Sequence, residues 1–331
     1  MLNLEIGKLK TELLEKYIFN KLSSNREEVI VKSGTGLDCA VMDFAGDLIV
    51  ASTDPITGAS KNIGSLAINV SVNDVSCQCA DPVGLLMTVL IPPSARLEDL
   101  KEIIEDANNT AKKLNVDIIG GHTEITDAVN KILISTTVLG RVNKKNMPDI
   151  KSIKAGDVIA VSKYVGIEGT SIISNEKDEV KEILSQKELE FAKSLSQDIS
   201  VLKESRLASK YGVKHMHDIT EGGLYGALWE TGVALGHGLR AYYDDIPLLD
   251  ETNKIAEFYG IDPMRLISSG SMLMIFDKDK YKDFKNEAEK NGIKISEIGE
   301  VTEEKFTQVI ANDQILILSE PGSDELYKVI D

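Results

Sequence analysis

The chain has 331 residues, 42% hydrophobic, 27% charged and only 5% aromatic. That is room for two domains of ordinary globular composition with aliphatic cores, and it excludes extensive disorder. The 53 acidic and 37 basic residues leave a net charge of −16; with no Lys/Arg-rich run to displace counterions from phosphates, nucleic acid is excluded as a partner.

No stretch of ~18 uninterrupted apolar residues is present to span a membrane, and no signal-like apolar segment opens the sequence, so the expected compartment is the cytoplasm. The three cysteines, Cys39, Cys77 and Cys79, are odd in number and lack a C-x₂-C pair or a His cluster. They read as small, half-buried residues, not as a disulfide or zinc framework.

In chain order, Leu9, Leu13, Leu14, Tyr17 and Ile18 recur at helical spacing and predict a helix over 4–21. A short Gly-rich run follows at 33–39. Residues 47–53 read as a buried strand ending at Asp54-Pro55, 62–76 as a helix, and 84–91 as an apolar strand stopped by Pro92-Pro93. A helix over 97–114 precedes a short strand at 117–119, then Gly120-Gly121, then a strong strand at 131–142. The polar stretch 143–156 reads as a linker, which sets domains at 1–150 and 151–331. In the second, strands are expected at 157–162, 213–217, 271–276, 293–300 and 315–319, with helices to about 211, over 222–236 and over 279–291. Alternating strands and helices define an α/β fold class.

A P-loop and a complete G-x-G-x-x-G are both absent; Gly34-Thr35-Gly36 supplies only the first half of the latter. Acids instead stand where the fold does not need them. Asp38 follows the glycine turn, Asp54 ends an apolar strand, Asp74 lies in an apolar helix, and Glu124 follows Gly120-Gly121-His122-Thr123. A buried carboxylate must be paired or must ligate a cation, and Mg²⁺ takes one or two carboxylates plus substrate phosphates. The plainer readings are that Asp38 caps a turn and Asp54 the following helix. Asn69 and Asn73 share one face of the 62–76 helix, where Asn is unfavourable, which points to a wet, ligand-facing stripe or to a polar contact with a neighbouring loop. Gly120-Gly121 permits close approach of an anion or makes a tight turn. His122 is a general base, a metal neighbour or a surface residue.

The densest motif runs from His215 to Leu224. Asp218 and Thr220 precede a helix as N-caps would, with Glu221 complementing its dipole. Capping leaves the two histidines and two glycines unexplained, which favours a ligand-facing loop. Ser268-Ser269-Gly270-Ser271 is a further polar loop suited to a base or a phosphate.

Together these segments resemble the aminoimidazole ribonucleotide (AIR) synthetase-like ATP-binding superfamily, which includes AIR synthetase, thiamine-monophosphate kinase, selenophosphate synthetase and the hydrogenase-maturation protein HypE. Asp38-Cys39-Ala40 resembles the family's G-D-D-A-A element, and Ser52-Thr53-Asp54 its T-T-D. Ile63-Gly64 through Asn69, Asn73 and Asp74 to Ala80-x-Pro82 is the most specific stretch. Gly120-Gly121-His122-Thr123 is similar to G-G-[DE]-T, and Asp218-x-Thr220-Glu221-Gly222-Gly223 to D-x-[ST]-x-G-G.

The resemblance implies a two-domain AIR synthetase-like fold, its first domain dimerising through a sheet, with ATP in the cleft. It assigns Mg²⁺ to Asp38, Asp54 and Asp74, and nucleotide contacts to Asp38, Asn69, Asn73, Gly120, Gly121, Thr123 and Glu221. Catalytic roles fall to Asp54, His122 and Asp218. The implied chemistry is ATP-driven phosphoryl transfer that activates an oxygen of a small-molecule or protein-thiol substrate, as in hydrogenase maturation, by a homodimer. The alternatives are a kinase like thiamine-monophosphate kinase and a nucleotide-binding maturation or regulatory protein without turnover. Two departures stand out. His122 replaces the expected acid, leaving Glu124 as its substitute, and no Cys follows Tyr327, where HypE carries a carbamoyl-accepting Cys at its extreme C-terminus.

Overall fold

The computed structural model describes residues 11–12, 29–31, 35, 37, 39–43, 46–56, 62–312 and 314–330. Its contacts separate the described residues into two units, 29–31 with 39–147 in the first, and 148–330 with 11–12, 35 and 37 in the second. The helix expected over 4–21 and the glycine run at 33–39 fall mostly outside the described residues.

In the first unit, strands β1 (Val29–Val31), β2 (Ala40–Asp43), β3 (Asp47–Ile56), β4 (Asp81–Ile91), β5 (Asp117–Ile125) and β6 (Leu133–Asn143) form a sheet ordered β1-β2-β3-β6-β4-β5. Only β4–β5 is parallel, as a crossover through a helix requires. Helices α1 (Ile63–Cys77) and α2 (Leu97–Leu114) belong to this unit. Leu48, Val50 and Ile56 alternate along β3 into the core, while Thr53 and Pro55 point out. Helix α1 is buried almost all round, so it lacks the polar face of a surface helix. Its Gly64 lets α2 come close, since a Cβ there would stand 2.3 Å from the Ile103 carbonyl oxygen. Helix α2 buries Ile103, Ala107 and Ala111 and turns its charges outward, acidic residues in its first turn and basic ones in its last. Val83, Leu86, Ile119 and Ile125 of β4 and β5 remain exposed.

Two expectations change here. Strand β3 does not end at Asp54-Pro55 but continues to Ile56. Proline is accepted because pairing with β2 stops at Ala51, leaving only β6 alongside Pro55. Strand β5 likewise runs straight through Gly120-Gly121 to Ile125. These glycines make no turn.

In the second unit, β7 (Val158–Ser162), β8 (His215–Asp218), β9 (Gly238–Tyr242), β10 (Met272–Phe276), β11 (Ile295–Thr302), β12 (Gln308–Ala311) and β13 (Gln314–Ile317) are ordered β13-β12-β9-β11-β7-β10-β8. Helices α3 (Ile167–Glu176), α4 (Gln186–Ser194), α5 (Leu202–Ala208), α6 (Gly223–Leu235), α7 (Asp250–Tyr259) and α8 (Lys278–Lys290) complete it. The central strands β7 and β10 are buried throughout, as a sheet covered on both faces demands. On one face Ile159, Val161, Leu273 and Ile275 join Leu224 and Leu228 of α6 in a common cluster. On the other, Phe276 stacks on Phe284 of α8 with ring centroids 4.6 Å apart. Because β10 is antiparallel to both β7 and β8, the loops β7–α3 and β8–α6 and the segment leading into β10 gather at one end of the sheet. No described helix is long and apolar enough to cross a membrane.

Candidate functional site

In the first unit, Ser52 and Asp54 continue the strand face that Leu48 and Val50 begin, so they lie toward α1 and not toward solvent. The Ser52 hydroxyl donates to the Asp74 carboxylate of α1. Asp54 and Asp74 thus belong to one strand–helix face. Asp74 is buried, and Oδ2 of Asp54 is a buried carboxylate oxygen with no hydrogen-bond partner among the described residues. An uncompensated buried carboxylate oxygen costs about 2 kcal/mol or more unless a cation or donor meets it. A divalent cation fits this donor set, since Mg²⁺ uses one or two carboxylates with phosphates and water. Among the described residues no group of three or more His, Cys, Asp or Glu side chains gathers around one point. Asp38, the third expected ligand, lies outside the described residues.

The asparagine stripe differs from expectation. Asn73 is fully buried, and Asn69 turns back within α1, its Nδ2 donating to the Ser65 carbonyl at 2.9 Å and reaching Ser65 Oγ at 3.3 Å. Ser65 is itself held from α2, its backbone N donating to Asp106 at 2.6 Å and its Oγ accepting from Thr110 at 2.9 Å. These polar groups join two helices; they do not form a wet surface.

Gly120, Gly121, His122, Thr123 and Glu124 lie exposed on the edge strand β5. Gly121 has φ +145°, and a Cβ on it would fall 1.9 Å from the Met87 carbonyl oxygen. Strand-to-strand approach therefore requires this glycine before any ligand does. Asp54, Thr136, Met87 and Gly121 occupy one row across the sheet. Three strand spacings separate the ends of that row, roughly 14 Å. Within one chain His122 therefore does not meet Asp54. His122 Nε2 instead lies 3.5 Å from Glu124 Oε2, both side chains exposed.

In the second unit, Asp218 ends β8 and does not cap α6, whose N-cap is Gly222. The Gly223 N–H donates to the Thr220 carbonyl at 3.1 Å, closing a four-residue turn with Gly222 at φ 82°, ψ 0°. That is the third position of a type II turn, where glycine is favoured. Gly223, at φ 60°, packs so closely on the 264–266 backbone that a Cβ would stand 2.6 Å from the Met264 oxygen. The two glycines thus have separate reasons. His217, expected in a ligand-facing loop, is inside the core, Nε2 3.1 Å from Glu230 Oε2 of α6. His215 is buried beside it on the same strand. Only Thr220 and Glu221 of the motif reach partial exposure.

Two acids that the motif search did not select organise this end of the sheet. Glu168, at the start of α3, is buried and accepts the Ser269 N–H at 3.1 Å. Burial pushes its carboxyl up to about 7 against the opposing Ser269 hydrogen bonds, with the negative charges of Asp324 and Glu221 adding to the rise. Asp324 is buried and accepts the N–H groups of Gly222 (2.8 Å), Ile267 (3.1 Å) and Leu326 (2.8 Å). Burial outweighs those bonds and raises it to about 6, with Glu221 contributing. The Tyr327 hydroxyl donates to Glu221 Oε1 at 2.6 Å. Ser268, expected to face a base or phosphate, accepts the Gly166 N–H at 2.8 Å. The visible signal for Glu168 was an acid inside Gly166-Ile167-Glu168-Gly169, between an apolar strand and an apolar helix. The local partner of Asp324 is the Leu326 N–H of a short cap, and the Gly222 and Ile267 groups it joins lie far away in sequence.

Family models for AIR synthase related proteins match this chain twice, the N-terminal domain over residues 36–142 and the C-terminal domain over 154–312. The chain is 30% identical over 285 residues to a protein of Methanocaldococcus jannaschii named for hydrogenase expression/formation, covering 82% of this chain and 81% of that one. It is 26% identical over 252 residues to the carbamoyl dehydratase HypE of Escherichia coli K12, covering 73% and 72% respectively. A crystal structure of HypE in complex with ATP shares the fold with a TM-score of 0.73 at 20% identity, covering 95% of each chain.

Proposed function

Because the chain belongs to the AIR synthase related protein family, both of whose domain models it matches in order, we propose that it is an ATP-dependent enzyme of the HypE kind. It transfers a phosphoryl group from ATP to an oxygen of a small-molecule or protein-bound substrate in hydrogenase maturation, in the cytoplasm. The names of its relatives support the pathway.

The observation that carries the chemistry is the buried Oδ2 of Asp54, which has no partner among the described residues, on the face it shares with Asp74. A carboxylate left this way in a folded protein suits a divalent cation brought in with a nucleotide. Asp54 and Asp74, with Asp38, are the residues that would hold Mg²⁺. Bound Mg²⁺ neutralises charge on the phosphate oxygens, the main demand of phosphoryl transfer. Ser52 keeps the Asp74 carboxylate oriented through its hydroxyl. In the second unit, Glu221 and Thr220 present polar groups on a turn whose backbone is held from within.

The working form is a homodimer. Val83, Leu86 and Ile119 are exposed apolar side chains of β4 and β5, and β5 is a sheet edge; natural proteins rarely leave such edges uncovered. Purified protein given Mg²⁺ and ATP should release ADP steadily, faster with the true acceptor, and Asp54→Asn should stop the release while keeping the wild-type melting temperature. Equal ADP release by that variant would remove Asp54 from the site.

A further inference from the structure

Segment 321–327 crosses the Thr220–Gly223 turn of the second unit. Pro321 packs on Gly222, where an added Cβ would stand 3.0 Å from the Pro321 Cβ. One side chain later in the segment, Asp324, joins two loops at once, accepting from Gly222 in the turn and from Ile267 ahead of β10. Three residues on, the Tyr327 hydroxyl closes on Glu221. The segment is anchored below by Leu326 and Val329, which are buried in an aliphatic cluster with Ile173, Leu189 and Ala256. The partly exposed Glu221 carboxylate and the buried Gly222 amide are therefore both gripped by one distant piece of chain.

We propose that Asp324 and Tyr327 are positioning residues, the C-terminal segment acting as a strap that sets the conformation of Glu221 and the Thr220–Gly223 turn for ligand binding. This rests on the reading of that turn as part of the nucleotide site. Asp324 supplies the fixed point, because a carboxylate that accepts three backbone N–H groups cannot rotate without leaving buried donors unmet. Tyr327 steadies the side chain of Glu221, since its hydroxyl donates to that partly exposed carboxylate. Neither residue needs to touch the ligand.

Tyr327→Phe in the full chain removes one hydroxyl and keeps the ring, so the fold survives. The strap predicts at least fivefold faster deuterium exchange in the peptide covering 218–226. It also predicts at least fivefold weaker binding of Mg²⁺ with the non-hydrolysable analogue AMPPNP, and a melting temperature within about 1 °C of wild type. Asp324→Asn should accelerate exchange at Gly222 and Ile267 further. Affinity unchanged in Tyr327→Phe, or exchange unchanged in both variants, overturns the inference. Should wild-type protein fail to bind Mg²⁺–AMPPNP while both variants still loosen the turn, the nucleotide reading falls and the strap itself stands.

Discussion

Two buried acids of the second unit and one of the first are used in opposite ways. In the second, Glu168 and Asp324 are consumed by the fold, Glu168 accepting one backbone N–H and Asp324 three, which fasten loops at one end of the sheet. In the first, Asp54 keeps a buried oxygen with no described partner, beside an Asp74 steadied by a serine. A carboxylate that a protein satisfies internally holds shape; one it leaves short of partners is available to something from outside. Burial alone does not distinguish the two, and hydrogen-bond inventory does.

The hardest way to break this contrast is through backbone packing in the first unit. Gly121→Ala places a Cβ against the Met87 carbonyl at a φ that L-residues avoid. It should cost about 3 kcal/mol or more in urea denaturation, and a neutral result would mean that β4 and β5 are not packed as described.

The next test addresses Glu168. Its carboxyl lies near 7 in the folded chain against an ordinary 4.5. The folded pKa is the higher one, so its contribution to stability is present below about 4.5 and is lost as pH rises through 7. Asp324, raised to about 6, acts in the same direction over a lower range. Glu168→Gln should flatten the Glu168 part of the loss of stability between about pH 4.5 and 7, leaving the variant on the order of 2 kcal/mol more stable than wild type at pH 8. The Asp324 slope below pH 6 should remain. A variant that keeps the wild-type slope above pH 6 would place the titration elsewhere.

A smaller effect on folding but a large one on assembly is expected from charging exposed apolar side chains of β4. Paired Val83→Lys and Leu86→Glu substitutions should turn the proposed dimer into a monomer of 36.2 kDa in sedimentation, with the monomer's own fold unchanged; a dimer that persists would move the interface away from β4 and β5, and a wild type that sediments as a monomer would remove the dimer from the proposal. The smallest effect belongs to His122→Ala, which should alter stability by less than about 0.5 kcal/mol because the side chain is exposed. If that variant loses ATP turnover, His122 serves a site it cannot reach within its own chain.

Much of this architecture was legible in the sequence, for identifiable reasons. Helix α1 was found almost to the residue because apolar positions at helical period run without a break from Ile63. Asp54 and Asp74 stood out as acids in apolar surroundings, and their common face followed from Ser52 reaching α1. What periodicity missed was decided by partners distant in sequence. Pro55 stays in its strand only because β2 has already ended. Asn69 looked ligand-facing until Ser65 and α2 enclosed it. The histidines of the expected 213–217 strand are read as part of a ligand-facing motif, but β8 pairs with β10 and His217 lies against Glu230 of α6. Strands β9 and β12 are short and flanked by turns, and the grip of Asp324 on Gly222 spans most of the second unit, beyond any local pattern.

The most direct measurement is calorimetric titration of Mg²⁺–AMPPNP into wild-type protein and Asp74→Asn, which removes charge and keeps volume. The wild type should bind only when Mg²⁺ is present, and the variant should lose at least a hundredfold in affinity while melting as the wild type does. Undiminished affinity in Asp74→Asn, or wild-type binding indifferent to Mg²⁺, would contradict a cation held on the β3–α1 face.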